Sequence, residues 1–173
     1  MNTASFRSHR GRIRYICQAG IVAALYTVLT CLIGAFGLAN GAIQFRISEA
    51  LCILPVFMPA AIPGLTVGCL LSNLLTGCVW QDILFGPVAT LLGALGAYLL
   101  RRLSPWLAPL PTVAANIIIV PFILAYAYHA EGGIPYLMLT VGIGEILSAY
   151  VLGMVLLFAL RRYGKRIFRS DTF

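Results

Sequence analysis

Residues 15–37 read YICQAGIVAALYTVLTCLIGAFG, an unbroken stretch without one charged side chain. A helix of that length spans the roughly 30 Å hydrocarbon core of a bilayer. Arg7, Arg10, Arg12 and Arg14 precede it, so the segment has the outline of a secretory signal. A signal's apolar core runs only about 7–15 residues, and no small-residue cleavage site ends this one convincingly. The expectation is a retained first membrane helix.

The rest of the chain repeats the pattern. Hydrophobic residues make up 61% of the 173 positions and charged residues 10%, with a mean hydropathy of +0.95. A soluble domain carries about 25% charged residues, because its water-facing surface needs them. Inside a bilayer every backbone polar group must be satisfied within the protein, by helices or by a closed barrel. The apolar runs here are long and continuous rather than alternating, which selects helices.

Six spans are expected: 14–37, 44–62, 63–78, 82–102, 112–128 and 135–162. Gly37 to Gly41 reads as a turn. Pro55, Pro59 and Pro63 recur every four residues, so the second span is kinked or irregular in its latter half and meets the third around 58–64 without an intervening charge, where a re-entrant or short helix is the alternative. The stretch 103–111 holds Pro105, Pro109 and Pro111 and reads as the clearest linker. Pro121 interrupts the fifth span, and Pro135 suits the first turn of the sixth. The resulting domains are a basic tail (1–14), a six-helix membrane domain (15–163) and a second basic tail (164–173).

Charge then orients the bundle. Four basic residues precede the first span, Arg101 and Arg102 end the fourth, and Arg161, Arg162, Lys165, Arg166 and Arg169 follow the sixth: eleven of the twelve Lys and Arg, all on one side if the spans alternate. Cytoplasmic loops carry the positive excess, so both termini are expected in the cytoplasm. The net charge of +7 is therefore read as a topology signal and not as a nucleic-acid footprint.

Ionisable side chains within a membrane cost about 2.5–3.5 kcal/mol each on insertion scales, so each needs a reason. With this topology Arg46, Glu49, Asn73, Trp80, Asp82, Tyr126, Tyr128, His129, Glu131 and Glu145 all fall in the outer half, and Asn116 falls in the cytoplasmic half. The functional reading is an outward-facing pocket for a polar small molecule. Plain structural readings stand beside it. Arg46 and Glu49 lie three apart on one face and can neutralise each other. Asp82, His129 and Glu131 suit wetted loops, Trp80 and the tyrosines suit an interfacial belt, and Asn73 can bond a neighbouring helix. Glu145 has no basic residue within reach along its own helix, which leaves a cross-helix partner, protonation or a ligand.

Small residues pair at four-residue spacing, as in Ala19/Ala23, Gly20/Ala24 and Gly93/Ala97, and let helix backbones approach closely. Helix 1 carries two such adjacent pairs, more small surface than one internal contact needs. Five cysteines without CxxC spacing or clustered histidines read as reduced small hydrophobes, with no metal or cofactor implied. The chain has no G-x-x-x-x-G-K-[ST] run to bind ATP and no Asp-rich motif of an intramembrane enzyme.

Four segments carry a family resemblance: Gln44-Phe45-Arg46-Ile47-Ser48-Glu49-Ala50-Leu51, Pro59-Ala60-Ala61-Ile62-Pro63-Gly64, Asp82-Ile83-Leu84-Phe85-Gly86 and Gly142-Ile143-Gly144-Glu145. With them the chain resembles the QueT family over about residues 15–163, most specifically in its RISEAL segment. These are S-components of energy-coupling-factor (ECF) transporters. The resemblance implies a six-helix bundle in a prokaryotic cell membrane that captures a scarce nutrient from outside and is not an enzyme. It implies a transmembrane coupling subunit and two cytoplasmic ATPases as partners, docking through Ala19 and Ala23, and a queuosine precursor, a 7-deazaguanine, as ligand. A carboxylate can accept from the guanine N1–H and exocyclic amine together, and Tyr or Trp rings can cover its face. The residues expected to bind it are Glu145, Glu49, Asn73, Asp82, Trp80, Tyr126 and Arg46. Another heterocyclic vitamin would suit a similar pocket. A self-sufficient homo-oligomeric membrane transporter is the competing class.

Overall fold

Pro55, Pro59 and Pro63 decide how the chain breaks after its first helix. The computed structural model describes residues 3–35 and 46–167, and within them every regular element is helical. The turn expected at 37–41 and the start of the second span at Gln44 lie outside the described residues. α1 runs Thr3–Ala35, so the basic segment expected as a tail is largely helix. A 3-10 helix, Ile47–Val56, takes the place of the expected second span. Ten residues in 3-10 form are unusual and cover only about 20 Å. Pro55 lies inside the 3-10 helix, and Pro63 falls in the first turn of α2 (Ala61–Leu75), where a missing N–H leaves no intrahelical bond unmade.

α3 (Trp80–Leu100) and α4 (Leu110–Tyr126) follow, joined by turns over residues 101–109. α5 (Ile134–Glu145) passes through a π-helical turn (Ile146–Leu152) into α6 (Gly153–Ile167), so the last span continues past its expected end near Arg162. Three helical stretches are long and apolar enough to cross a membrane: Gly11–Ala35, Trp80–Leu100 and Ile134–Arg162. The 3-10 helix, α2 and α4 are apolar but shorter.

Neighbours in sequence are neighbours in space: α1 packs on α2, α2 on α3, α3 on α4 and α4 on α5. The 3-10 helix touches α1, α2, α3, α6 and the π turn, which makes it the central strut. Ile53, Leu54 and Cys52 are buried along it. The outside is apolar instead of polar, with Ile16, Ile21, Leu25 and Val28 of α1, Leu84, Leu92 and Leu99 of α3, and Val151, Val155 and Phe158 of the last span exposed. Continuous apolar surface of this extent calls for lipid or a protein partner.

α1 and α2 meet almost backbone to backbone. A Cβ on Gly64 would stand 2.7 Å from the Ala19 carbonyl oxygen, and one on Gly68 would stand 2.9 Å from that of Ala23. Ala19 and Ala23, expected on an outward docking face, are thus turned onto α2, Ala23 fully buried. The outward stripe holds Gly20, with nothing within 4 Å of where its Cβ would be, and the exposed Ala24.

Candidate functional site

The end of α1, the start of the 3-10 helix, the end of α2, the start of α3, the end of α4 and the start of α5 come together at one end of the bundle. A cavity of about 890 Å³ opens there, lined among others by Thr30, Arg46, Asn73, Asp82, Tyr128 and Tyr136. This is within the size range of small-molecule sites. Beneath it lies a chamber of about 10 Å³ lined by Arg46, Asn116, Val120, Val141 and Glu145. Arg46 and Val141 border both spaces.

Asp82 is the hub of the cavity wall. Its side chain takes Arg46 at 3.6 Å and accepts from the Tyr128 hydroxyl at 3.2 Å. Its backbone carbonyl accepts from Asn73 Nδ2 at 2.9 Å. The phenol oxygen of Tyr128 accepts in turn from the Val79 N–H at 3.3 Å, which ties the start of α3 to the turn after α4. Gly86 makes the Asn73 contact possible: a Cβ there would lie 2.7 Å from Asn73 Nδ2. The Arg46–Glu49 pairing read from sequence spacing gives way to Arg46–Asp82, since Glu49 points instead into the bundle.

The unusual helix geometry explains Glu49. Three residues per turn place i and i+3 directly above one another, so Glu49 and Cys52 share one ridge, while Arg46 precedes the helix in extended conformation. Glu49, 2% exposed, accepts from the Tyr26 hydroxyl at 2.5 Å and from the Cys52 thiol at 3.2 Å. It lines neither space. The π turn packs against the 3-10 helix, and Glu145 stands at the point where α5 enters that turn. Glu145 is 5% exposed, and its Oε2 has no hydrogen-bond partner. The other buried side-chain atom without a partner, among the described residues, is Thr112 Oγ1 near the start of α4. Arg46 and Asn116 are the other polar side chains that line the chamber with Glu145.

The structure thus brings Arg46, Asn73 and Asp82 to one cavity, with Glu145 in the chamber below and Glu49 behind it. It does not bring Trp80 or Tyr126 there. Trp80 is 67% exposed, and Tyr126 is 70% exposed and stacked on Phe122. Tyr128 and Tyr136 are the aromatic residues in the lining. The two spaces are lined by one guanidinium, that of Arg46, and by three carboxylates, Asp82, Glu131 and Glu145, so the site favours hydrogen-bond donors. Among the described residues no three His, Cys, Asp or Glu side chains gather to hold a metal ion.

The profile of the QueT transporter family matches residues 16–162. The chain belongs to the QueT transporter family. Among curated proteins it is similar to the queuosine precursor transporter QueT of Lactococcus lactis subsp. cremoris (strain MG1363), 32% identical over 162 residues, which cover 88% of this chain and 93% of that protein. No solved structure matches the chain. QueT membership makes the chain a transporter and not an enzyme, in keeping with its three membrane-length apolar helices.

Asn116 is the site residue that the sequence reading put elsewhere, in the cytoplasmic half. A count would have found it. α4 and α5 are joined by a turn centred near Ala130, and Asn116 and Glu145 stand 14 and 15 residues either side of it. Residues equidistant from the turn of an antiparallel helix pair lie at equal depth. Asn73 and Asp82 obey the same rule about the turn joining α2 and α3.

Proposed function

We propose that this chain is the substrate-binding component of an ECF-type transporter, capturing a 7-deazaguanine queuosine precursor on the outer side of a prokaryotic cell membrane. The observation that carries this reading is the convergence of Arg46, Asn73, Asp82 and Glu145 at the bundle end remote from the basic residues. A buried carboxylate oxygen without a partner is costly, and a ligand's N–H groups would satisfy it. The relative's name supplies the ligand class. Six spans with both termini in the cytoplasm fit the alternation of helices and the basic clusters at the start of α1 and the ends of α3 and α6.

Energy comes, in this reading, from a coupling subunit and two ATPases, because the chain has no phosphate-binding loop. Docking is assigned to α1. Since α2 covers Ala19 and Ala23, the open stripe of Gly20 and Ala24 is the face we assign to the partner.

Purification of the chain from a queuosine-using host, with mass spectrometry of the bound small molecules and of co-purifying proteins, tests both parts. A bound 7-deazaguanine and two ATPases are expected. Uptake by the chain alone in liposomes would overturn the ECF assignment.

A further inference from the structure

The small chamber below the main cavity is built from three polar side chains on three elements. Arg46 comes from the start of the 3-10 helix, Asn116 from α4 and Glu145 from the end of α5. Its free space of about 10 Å³ is about that of a single water, so the edge of a ring enters it and a whole ring does not. Because Arg46 and Val141 also border the larger cavity, the chamber lies next to a ring held there.

What the chamber offers such an edge follows from donor and acceptor chemistry. Glu145 Oε2 is buried and unpartnered, and a carboxylate held ionised by a ligand's N–H groups only accepts. Asn116, 5% exposed, lines the same small chamber as that carboxylate. An amide beside an acceptor turns its NH₂ and not its oxygen toward it, which fixes the flip of Asn116. An NH₂ group has two hydrogens. One can turn to Glu145, and the second is left for a ligand. The chamber therefore presents two acceptor oxygens next to an amide donor, with the Arg46 guanidinium as a further donor.

We propose that Asn116 is a specificity-determining residue that donates to the ring carbonyl of the ligand while Glu145 accepts from the adjoining N–H and amino groups, so that the pair reads the carbonyl/N–H/amine edge of a guanine-like base. This rests on the proposed ligand class and deepens it. A base with an amine in place of the carbonyl sets donor against donor at Asn116, and its ring nitrogen, now without a hydrogen, sets acceptor against acceptor at Glu145. A base without the exocyclic amine leaves one oxygen of Glu145 unsatisfied.

The test is calorimetric binding to the purified full-length chain of three compounds: 7-deazaguanine, its 2,6-diamino counterpart and 7-deazahypoxanthine, which lacks the exocyclic amine. The wild-type protein is expected to prefer 7-deazaguanine over each of the other two by about tenfold to a few hundredfold. Asn116→Leu is expected to weaken 7-deazaguanine and 7-deazahypoxanthine by about tenfold or more and to leave the diamino compound unchanged, so that selectivity against it falls by that factor while the mismatch of its bare ring nitrogen with Glu145 remains. Equal losses for all three compounds would make Asn116 a structural residue and overturn the proposal. So would a wild-type protein that binds the diamino compound as tightly as 7-deazaguanine, a result that needs no variant to fold. If none of the three binds, the proposed ligand class fails and this inference fails with it.

Discussion

Adding one methyl group at Gly68 probes the contact on which the bundle's geometry depends. In Gly68→Ala the new Cβ would lie 2.8 Å from Tyr26 Cβ, 2.9 Å from the Ala23 carbonyl oxygen and 3.1 Å from Ala23 Cα. Ordinary contacts begin near 3.4 Å, and two of these three atoms are backbone, so the helices must part. Overpacking of this kind costs about 1–3 kcal/mol, while alanine gains about 1 kcal/mol in helix propensity over glycine. Gly20→Ala makes the same chemical change on the same helix pair, where nothing lies within 4 Å. Comparing the two variants cancels the propensity gain and isolates the packing cost of about 1–3 kcal/mol. At about 2–4 °C per kcal/mol for a chain of this size, Gly68→Ala should melt about 2–12 °C below Gly20→Ala in detergent. Ligand binding should weaken with it, because parting α1 from α2 shifts Tyr26 from Glu49 and breaks the Thr27 hydroxyl bond to the Gly68 carbonyl at 3.2 Å. Thermal melting followed by tryptophan fluorescence or light scattering reads the difference. Equal or reversed melting temperatures would refute the close packing of α1 on α2.

Other outcomes follow from the site and the surface. Glu145→Gln replaces an acceptor oxygen with a donor and should lower affinity for 7-deazaguanine by about tenfold to a few hundredfold with little change in melting. Unchanged affinity would take Glu145 out of the site. Ala24→Trp on the open stripe of α1 should leave binding by the isolated chain intact and abolish cellular uptake, whereas Ala23→Trp should fail to fold stably, because Ala23 is buried against α2. Uptake that survives Ala24→Trp would move docking off this face. In a cysteine-free background, Lys165→Cys should be shielded from an impermeant thiol reagent in intact cells, and labelling from outside would invert the assigned orientation.

An apolar helical fold was legible in composition alone, because a chain with 10% charged residues can neither cover a water-facing surface nor satisfy its backbone in lipid without helices. The proline spacing marked where the second span would be irregular. The acidic and amide residues of the site were legible too, since burying such groups is costly enough that their presence in apolar segments stands out. What tertiary structure decided was direction. A single-residue step around a helix turns Ala19 and Ala23 inward onto Gly64 and Gly68 and leaves Gly20 and Ala24 open, and spacing alone cannot tell the two stripes apart. The partners of charged groups were decided in the same way. The extended backbone of Arg46 just before the 3-10 helix leaves it to Asp82, while Glu49 inside the helix meets Tyr26 and Cys52. Trp80 and Tyr126 read as pocket aromatics by their position along the chain, yet both face outward. Asn116 meets Glu145 because an antiparallel pair brings residues equidistant from its turn to one depth. Sequence fixes which groups are costly to bury, and only the packed bundle fixes which of them face one another.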